Sequence, residues 1–396
     1  MGASDAPVSR LTYASVRERS LLLAEPLSDE DCGAQSMLES SPVKWHLAHT
    51  TWFFETFVLE RFETGFAPFA PAFRVLFNSY YNGVGARHPR ASRGLLTRPS
   101  MSEVRAYRHN VDLRITRLLE QRAGDAVLAE LIELGLQHEQ QHQELILTDV
   151  KHLLAQSPLY PAYTSEAPGP ADPAALLDWI GFDGGLISVG HAGDGFCFDN
   201  ELPHHQQFVA PYALASQLVT NGEFLRFIDA GGYRDPTLWL AEGWDRIGEH
   251  AISHPLYWQQ GADGQWLEFT LHGLQRLDLH QTLTHVSLYE ADAYARWSGA
   301  RLPTEAEWEN AAARRDSGLS HMFGACWQWT SSSYAPYPGY ASPPGALGEY
   351  NGKFMLNQYV LRGSSCATPP GHARAAYRNF FPAGACWQFS GVRLAR

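Results

Sequence analysis

From Leu131 to Leu147 the apolar residues Leu131, Ile132, Leu134, Leu136, Leu145, Ile146 and Leu147 form a stripe with no internal proline, which predicts a helix whose only poor helix former is Gly135. His138 and His142 lie four apart on it, so both imidazoles share a face and aim at one point. A second, strongly apolar helix is expected over residues 44–55, with Ser41 as its cap and Pro42 at its first position. One histidine from this helix would complete a facial triad and leave the far side of a metal open; His46 and His49 both qualify. A histidine pair at this spacing suits a solvated helix face equally well, so the third ligand carries the metal reading. Glu55, Glu139, Gln140, Gln141 and Glu144 are candidates to hydrogen-bond the rings and fix their tautomers.

The texture changes after about residue 156. Prolines at 158, 161, 168, 170 and 173 cannot propagate a helix, and beyond them Gly, Trp, Tyr and Pro dominate short segments. The chain therefore divides into a helical domain (residues 1–157), a Pro-rich linker (158–177) and a loop-rich domain (178–396). Two helices stand out in the last part. One begins at Thr220 and one at Ser287, the latter with Glu290 three residues on, a capping-box pattern.

At 396 residues, two domains of unequal character are the natural division. A formal net charge of −12 argues against a nucleic-acid or anionic-membrane partner. No apolar run approaches the roughly 20 residues of a membrane span, and Met1-Gly-Ala-Ser-Asp5 lacks the basic and apolar parts of a signal peptide, so a cytoplasmic location is expected. The five cysteines (Cys32, Cys197, Cys326, Cys366 and Cys386) contain no C-x-x-C pair, which argues against a disulfide framework and a thiolate zinc site.

Arg301-Leu-Pro-Thr-Glu-Ala-Glu-Trp-Glu309, Gly324-Ala-Cys-Trp-Gln-Trp-Thr330, Leu361-Arg-Gly-Ser-Ser365 and Gly391-Val-Arg-Leu-Ala395 resemble the successive signatures of the formylglycine-generating-enzyme-like fold, a C-type-lectin-related domain. Leu47-Ala-His49 and His138-Glu-Gln-Gln-His142 resemble the metal motifs of DinB-type four-helix bundles. In this order, and over nearly the whole chain, the two resemble the iron-dependent sulfoxide synthases of ergothioneine biosynthesis and their relatives, the selenoneine synthases. The fold expected is α+β, a DinB-like bundle followed by a formylglycine-generating-enzyme-like domain.

The resemblance implies that His49, His138 and His142 hold Fe(II), which makes His46 a bystander, and that Gln141 contacts the imidazole of hercynine, trimethylated histidine. It implies that Tyr80 or Tyr81 delivers a proton or hydrogen atom during oxygen chemistry, a task suited to a phenol. Arg90 and Arg93 match positions that bind the donor's carboxylate, where a guanidinium fork is favoured. Asn379, Phe380 and Phe381 match the hercynine-holding segment, with the two rings as a cage for the quaternary ammonium.

The substrates implied are hercynine, O2 and a sulfur or selenium donor. The sequence departs from the family pattern on the donor side: Gln328 and Cys326 alter the second signature, Cys386 stands where arginine is common, and the connection from Ala313 to Met322 is short. These departures favour a selenosugar slightly over cysteine or γ-glutamylcysteine. Two other classes use the same residues differently: a zinc-dependent DinB-type thiol transferase or hydrolase, and a lectin-like binding module with inert histidines.

Overall fold

The computed structural model describes residues 12–166, 177–314 and 317–396. Half of the expected linker, and part of the connection after Ala313, lie outside these residues. The chain forms two units. One comprises residues up to Leu153 together with Thr368–His372, and the other comprises Leu154–Ala367 and Ala373–Arg396. Among the described residues, no helix is long and apolar enough to cross a membrane.

The first unit is helical: α1 (Tyr13–Leu22), α2 (Asp29–Gly33), α3 (Val43–Phe53), α4 (Glu60–Phe62), α5 (Phe73–Leu76), α6 (Met101–Gln121) and α7 (Ala126–Ala155). A π-helical turn, Phe54–Leu59, joins α3 to α4. Ten of the eleven residues of α3 are buried, which explains why its sequence is apolar all round instead of striped. Its start differs from the expectation. Pro42 is the cap residue and offers no side-chain hydrogen bond; Ser41 is engaged elsewhere, its N–H donating to Asp149 Oδ2 (2.8 Å) and its Oγ accepting from Arg93 Nη1 (2.8 Å).

A buried charge cluster ties the long helices together. Glu139 on α7 accepts from Ser20 Oγ (2.5 Å) and Arg17 Nη1 (2.7 Å) on α1, and from Arg108 on α6. Arg17 also donates to Thr51 Oγ1 (2.9 Å) and Arg108 to Thr50 Oγ1 (3.2 Å), both on α3. Burial alone would raise the Glu139 pKa, but Arg108 and Arg17 hold it down to about 2. Every charge here is paired, as burial requires.

The second unit is built from small sheets and pinned loops. Strands β1 (Trp179–Phe182) and β4 (Tyr212–Ala215) pair antiparallel, as do β2 (Gly185–Val189) and β3 (His205–Val209). Strands β5 (Trp258–Gln260), β6 (Trp266–Thr270) and β7 (Gly273–Arg276) form a meander. The largest sheet has the order β10 (Asn379–Phe381), β9 (Tyr359–Gly363), β8 (Trp327–Ser333), β11 (Ser390–Gly391). Helices α8 (Asn221–Asp229) and α10 (Leu288–Trp297) are the two expected, each with its capping box. Two further helices, α9 (Ala241–Glu249) and α11 (Glu305–Ala312), add to those expected.

Three fully buried arginines hold the irregular parts. Arg362 donates from Nη1 to the carbonyls of Ala376 (2.8 Å) and Tyr377 (2.9 Å) and pairs with Glu309. Arg378 forks onto Glu305 (2.9 and 3.0 Å), and Arg393 reaches Gln328 Oε1 and the Ala215 carbonyl. Gln328 also accepts from Trp308 Nε1 (2.8 Å) and donates to the Met322 carbonyl (3.0 Å). Gln328, one of the departures from the family pattern, thus has a core hydrogen-bonding role.

Candidate metal centre

His49 on α3 and His138 and His142 on α7 come together: one ligand atom from each lies within 4.8 Å of the others, and the ring centroids are 4.6–5.0 Å apart. His49 Nδ1 donates to the Phe77 carbonyl (2.6 Å). That bond leaves the lone pair on Nε2, which is buried with no hydrogen-bond partner. An orphaned acceptor of this kind costs about 1–3 kcal/mol unless something else satisfies it. Three imidazoles with an unspent buried lone pair fit a divalent first-row metal, Fe(II) included.

The electrostatics keep the rings in ligand form. Burial pushes His49 and His142 well below the usual histidine range, reinforced by the other histidines of the cluster, and brings His138 to about 3. All three are neutral at neutral pH, so no proton need leave before a metal binds.

Local packing fixes the rings. His49 stacks on Trp45 one turn earlier (4.5 Å, 12° between planes) and on Trp52 one turn later (5.5 Å, 17°), and His138 lies 4.8 Å from the Phe53 ring. Gly135, one turn before His138, is the seat on α7 for the rings of Phe53 and Phe54. A Cβ there would lie 2.5 Å from the Phe54 ring and 3.1 Å from the Phe53 ring. The residue that weakened the helix in the sequence is the one that lets the two histidine-bearing segments meet.

Three of the anticipated carboxylates, Glu55, Glu139 and Glu144, have partners away from the rings. Glu139 is spent on Arg17 and Arg108, Glu55 accepts from Tyr107 (2.6 Å) and the Phe69 N–H (2.8 Å), and Glu144 accepts from Thr368 (2.8 Å). The Phe77 carbonyl orients His49. His142 Nδ1 lies 2.8 Å from His46 Nδ1, and His46 Nε2 lies 3.0 Å from Asp149 Oδ2. A signal for Asp149 was present: seven residues is nearly two turns, which returns it to the stripe of His142.

Around the triad the structure gathers some anticipated residues. Tyr81 is fully buried, stacked on Tyr80 (4.6 Å), and packs on Trp52 (5.6 Å), which itself stacks on His49. Asn78 holds this loop, donating to the Tyr81 carbonyl (3.0 Å) and accepting from its N–H (3.1 Å). Arg93 is buried over the Trp45 ring (3.3 Å to the centroid), with Nη1 on Ser41 and Nη2 on Ser79 (3.1 Å). Its Nε–H has no partner, and no carboxylate lies within ion-pair distance of it among the described residues. Arg90 is exposed on the same 3₁₀ segment, Arg90–Leu95, and Gln141 is half-buried beside His142.

In the second unit, Asn379, Phe380 and Phe381 are consecutive residues of β10, so alternation places Phe380 on the opposite face from the other two. Phe380 stacks on Tyr334 (4.0 Å, 9°), whereas Phe381 meets Trp387 edge-on (6.2 Å). The two Phe rings are not brought into one cage. Cys386 is hydrogen-bonded to the Arg246 side chain, and burial, with Glu290 nearby, pushes its thiol up to about 12.

Comparison with known proteins agrees with this two-part construction. The model of the DinB superfamily matches residues 12–146, and that of the sulfatase-modifying factor enzyme 1-like domain matches residues 166–317 and 314–396. The hercynine oxygenase of Mycobacterium tuberculosis is 30% identical, with 96% of this chain and 97% of that protein covered. The hercynine oxygenase of Mycolicibacterium smegmatis gives the same identity and coverage. Ergothioneine biosynthesis protein 1 of Schizosaccharomyces pombe is 24% identical over 51% of this chain and 28% of its own length. With its DinB-type bundle, its formylglycine-generating-enzyme-like domain and its full-length match, the chain belongs to the hercynine oxygenase family.

Proposed function

We propose that this protein is an Fe(II)- and O2-dependent enzyme that joins a chalcogen donor to the imidazole C2 of hercynine, with the metal held by His49, His138 and His142. The carrying observation is the buried, unpartnered Nε2 of His49, aimed into a cluster of neutral imidazoles. The chemistry an iron ion would supply there is the reduction of dioxygen together with capture of the soft donor atom and the substrate imidazole. The chain's own residues do the rest. Trp45, Trp52 and Phe53 line the ligand rings and exclude water; Gln141 orients the substrate imidazole; the Tyr80–Tyr81 pair holds the proton that oxygen chemistry needs, inside the same aromatic cluster. Asn379 and Phe381, which share a face of β10, remain the candidates of the second unit for contact with a carboxylate and a quaternary ammonium.

Two observations bear on the donor. Cys386 stands where the family pattern commonly has arginine, which suits a less charged donor, and a 1-selenosugar is the first reading. The unpartnered Nε–H of Arg93 suits a carboxylate and favours cysteine or γ-glutamylcysteine as the second. Competition decides between them. Protein reconstituted with Fe(II) under argon is mixed with hercynine and equal concentrations of the three donors, then exposed to air, with oxygen uptake and product mass followed. A C–Se product in excess supports the selenosugar; a C–S sulfoxide in excess assigns the thiol. Absence of oxygen uptake with every donor, despite stoichiometric iron, would refute the oxygenase reading.

The tyrosine role has its own test. Phenylalanine at 80 or 81 keeps the stacked ring and removes the hydroxyl. One of the two variants should lose about 10²–10⁴-fold in bond formation while hercynine binding persists. Wild-type rates in both, and in the double variant, would make the pair structural.

A further inference from the structure

The donor set of the triad does not end at three histidines. His46 and Asp149 are 2% and 7% exposed, so their hydrogen bonds are little screened by solvent. When His142 presents Nε2 to a metal, its ring proton resides on Nδ1, and that N–H points at His46 Nδ1, 2.8 Å away. His46 must then accept at Nδ1 and carry its own proton on Nε2, which points at Asp149 Oδ2, 3.0 Å away. Asp149 Oδ2 also accepts the Ser41 N–H (2.8 Å). The donors run in one direction, from ligand to carboxylate, and only one pair of tautomers satisfies both histidine links.

We propose that His46 is a positioning residue for the metal centre: it links His142 to Asp149 in a ligand–histidine–carboxylate relay that selects the Nε2-ligating tautomer of His142 and fixes its ring plane. The inference rests on the reading of His49, His138 and His142 as metal ligands, and it replaces the bystander role that the sequence resemblance implies for His46. A carboxylate placed directly on His142 would draw its proton strongly and make the ligand nearly anionic. The intervening neutral imidazole tempers that pull while keeping the orientation. His49 has no such chain, because its Nδ1–H ends on a backbone carbonyl. The two ligands thus differ in how strongly the protein polarises them.

Metal binding by the purified full-length apoprotein tests this without recourse to turnover. Co(II) is the probe, titrated against a competing chelator and followed by its visible ligand-field bands. His46→Ala should bind Co(II) about 10–100-fold more weakly than wild type and shift those bands. His46→Gln offers an amide oxygen to accept from His142 and an amide N–H to donate to Asp149, and should recover most of the affinity and the wild-type spectrum. A role confined to filling space would not be rescued by the polar variant in this way. Wild-type affinity and spectrum in His46→Ala would overturn the proposal. Should His46→Ala not fold, Asp149→Ala, which removes the acceptor at the end of the relay, decides: weaker, band-shifted binding supports the relay, and unaltered binding overturns it. His142→Ala serves as the reference for loss of a ligand. If wild type itself takes up no stoichiometric Co(II), it is the triad reading that fails, a result distinct from loss of the relay alone.

Discussion

The two units solve the same problem, placing side chains to fractions of an ångström, by opposite means. In the helical unit, position follows from periodicity. Two histidines of the triad share a stripe of α7, a third comes from α3, and one buried carboxylate, Glu139, locks the long helices in register through Arg17, Arg108 and Ser20. In the second unit there is little periodicity to use. Arg362, Arg378 and Arg393 stand in for secondary structure by collecting carbonyls and carboxylates from segments far apart in sequence. A regular scaffold can centre a site on an anion flanked by cations; an irregular one distributes cations among backbone acceptors. Both carry buried charges that are costly to leave half-paired.

The largest effect expected from breaking this scheme is at the ligands. His49→Ala should abolish stoichiometric metal uptake and bring activity to background while leaving the helical circular dichroism intact; full iron occupancy with normal turnover would remove His49 from the ligand set.

Next come the two locks. Glu139→Gln and Arg362→Met each strand buried charges and should cost about 3–5 kcal/mol in denaturant unfolding. The contrast lies in what else changes: Glu139→Gln should also loosen metal binding, whereas Arg362→Met should leave Co(II) affinity as it is. The helical lock has a pH signature as well. Because the Glu139 pKa falls from its ordinary 4.5 to about 2 on folding, its contribution is fully present above about 4.5 and is lost as pH falls through 2. Acid titration of wild type should therefore show a stability loss in that window that Glu139→Gln lacks.

The smallest of these effects is at the helix contact. Gly135→Ala improves helix propensity, yet its methyl meets the fully buried Phe54 ring, so a net loss of about 1–3 kcal/mol is expected, with weaker metal binding. A gain in melting temperature would mean that the rings can shift and that the close approach is not required.

These contrasts also explain what could be read from the sequence. Helical spacing carried the triad, because four residues on a helix fix a direction whatever the surroundings. Caps at Thr220 and Ser287 were legible for the same local reason, and Thr304 with Glu307 offered an identical box that was read only as part of a family signature. Helix α9 was hidden by two glycines, Gly243 and Gly248, whose low propensity is overridden by packing: a Cβ at Gly243 would strike Tyr289 at 2.7 Å. The place of His46 was illegible, since both α3 histidines satisfy the spacing and only the relative rotation of α3 and α7 puts His49 in the triad and His46 against the far nitrogen of His142. The Phe380–Phe381 cage failed for a reason the sequence did contain: neighbours on a strand face opposite ways.

The Phe77 carbonyl that receives His49 Nδ1 has a consequence for how this centre can vary across generations. Every amino acid brings the same carbonyl, so no codon change at position 77 can delete the acceptor; only a shift of the backbone can. The His142 side of the centre depends on two side chains, at 46 and 149, that single-nucleotide changes can rewrite. One histidine of the triad therefore keeps its hydrogen-bond partner through any substitution at position 77, whereas the partners behind the other can be rewritten at positions 46 and 149.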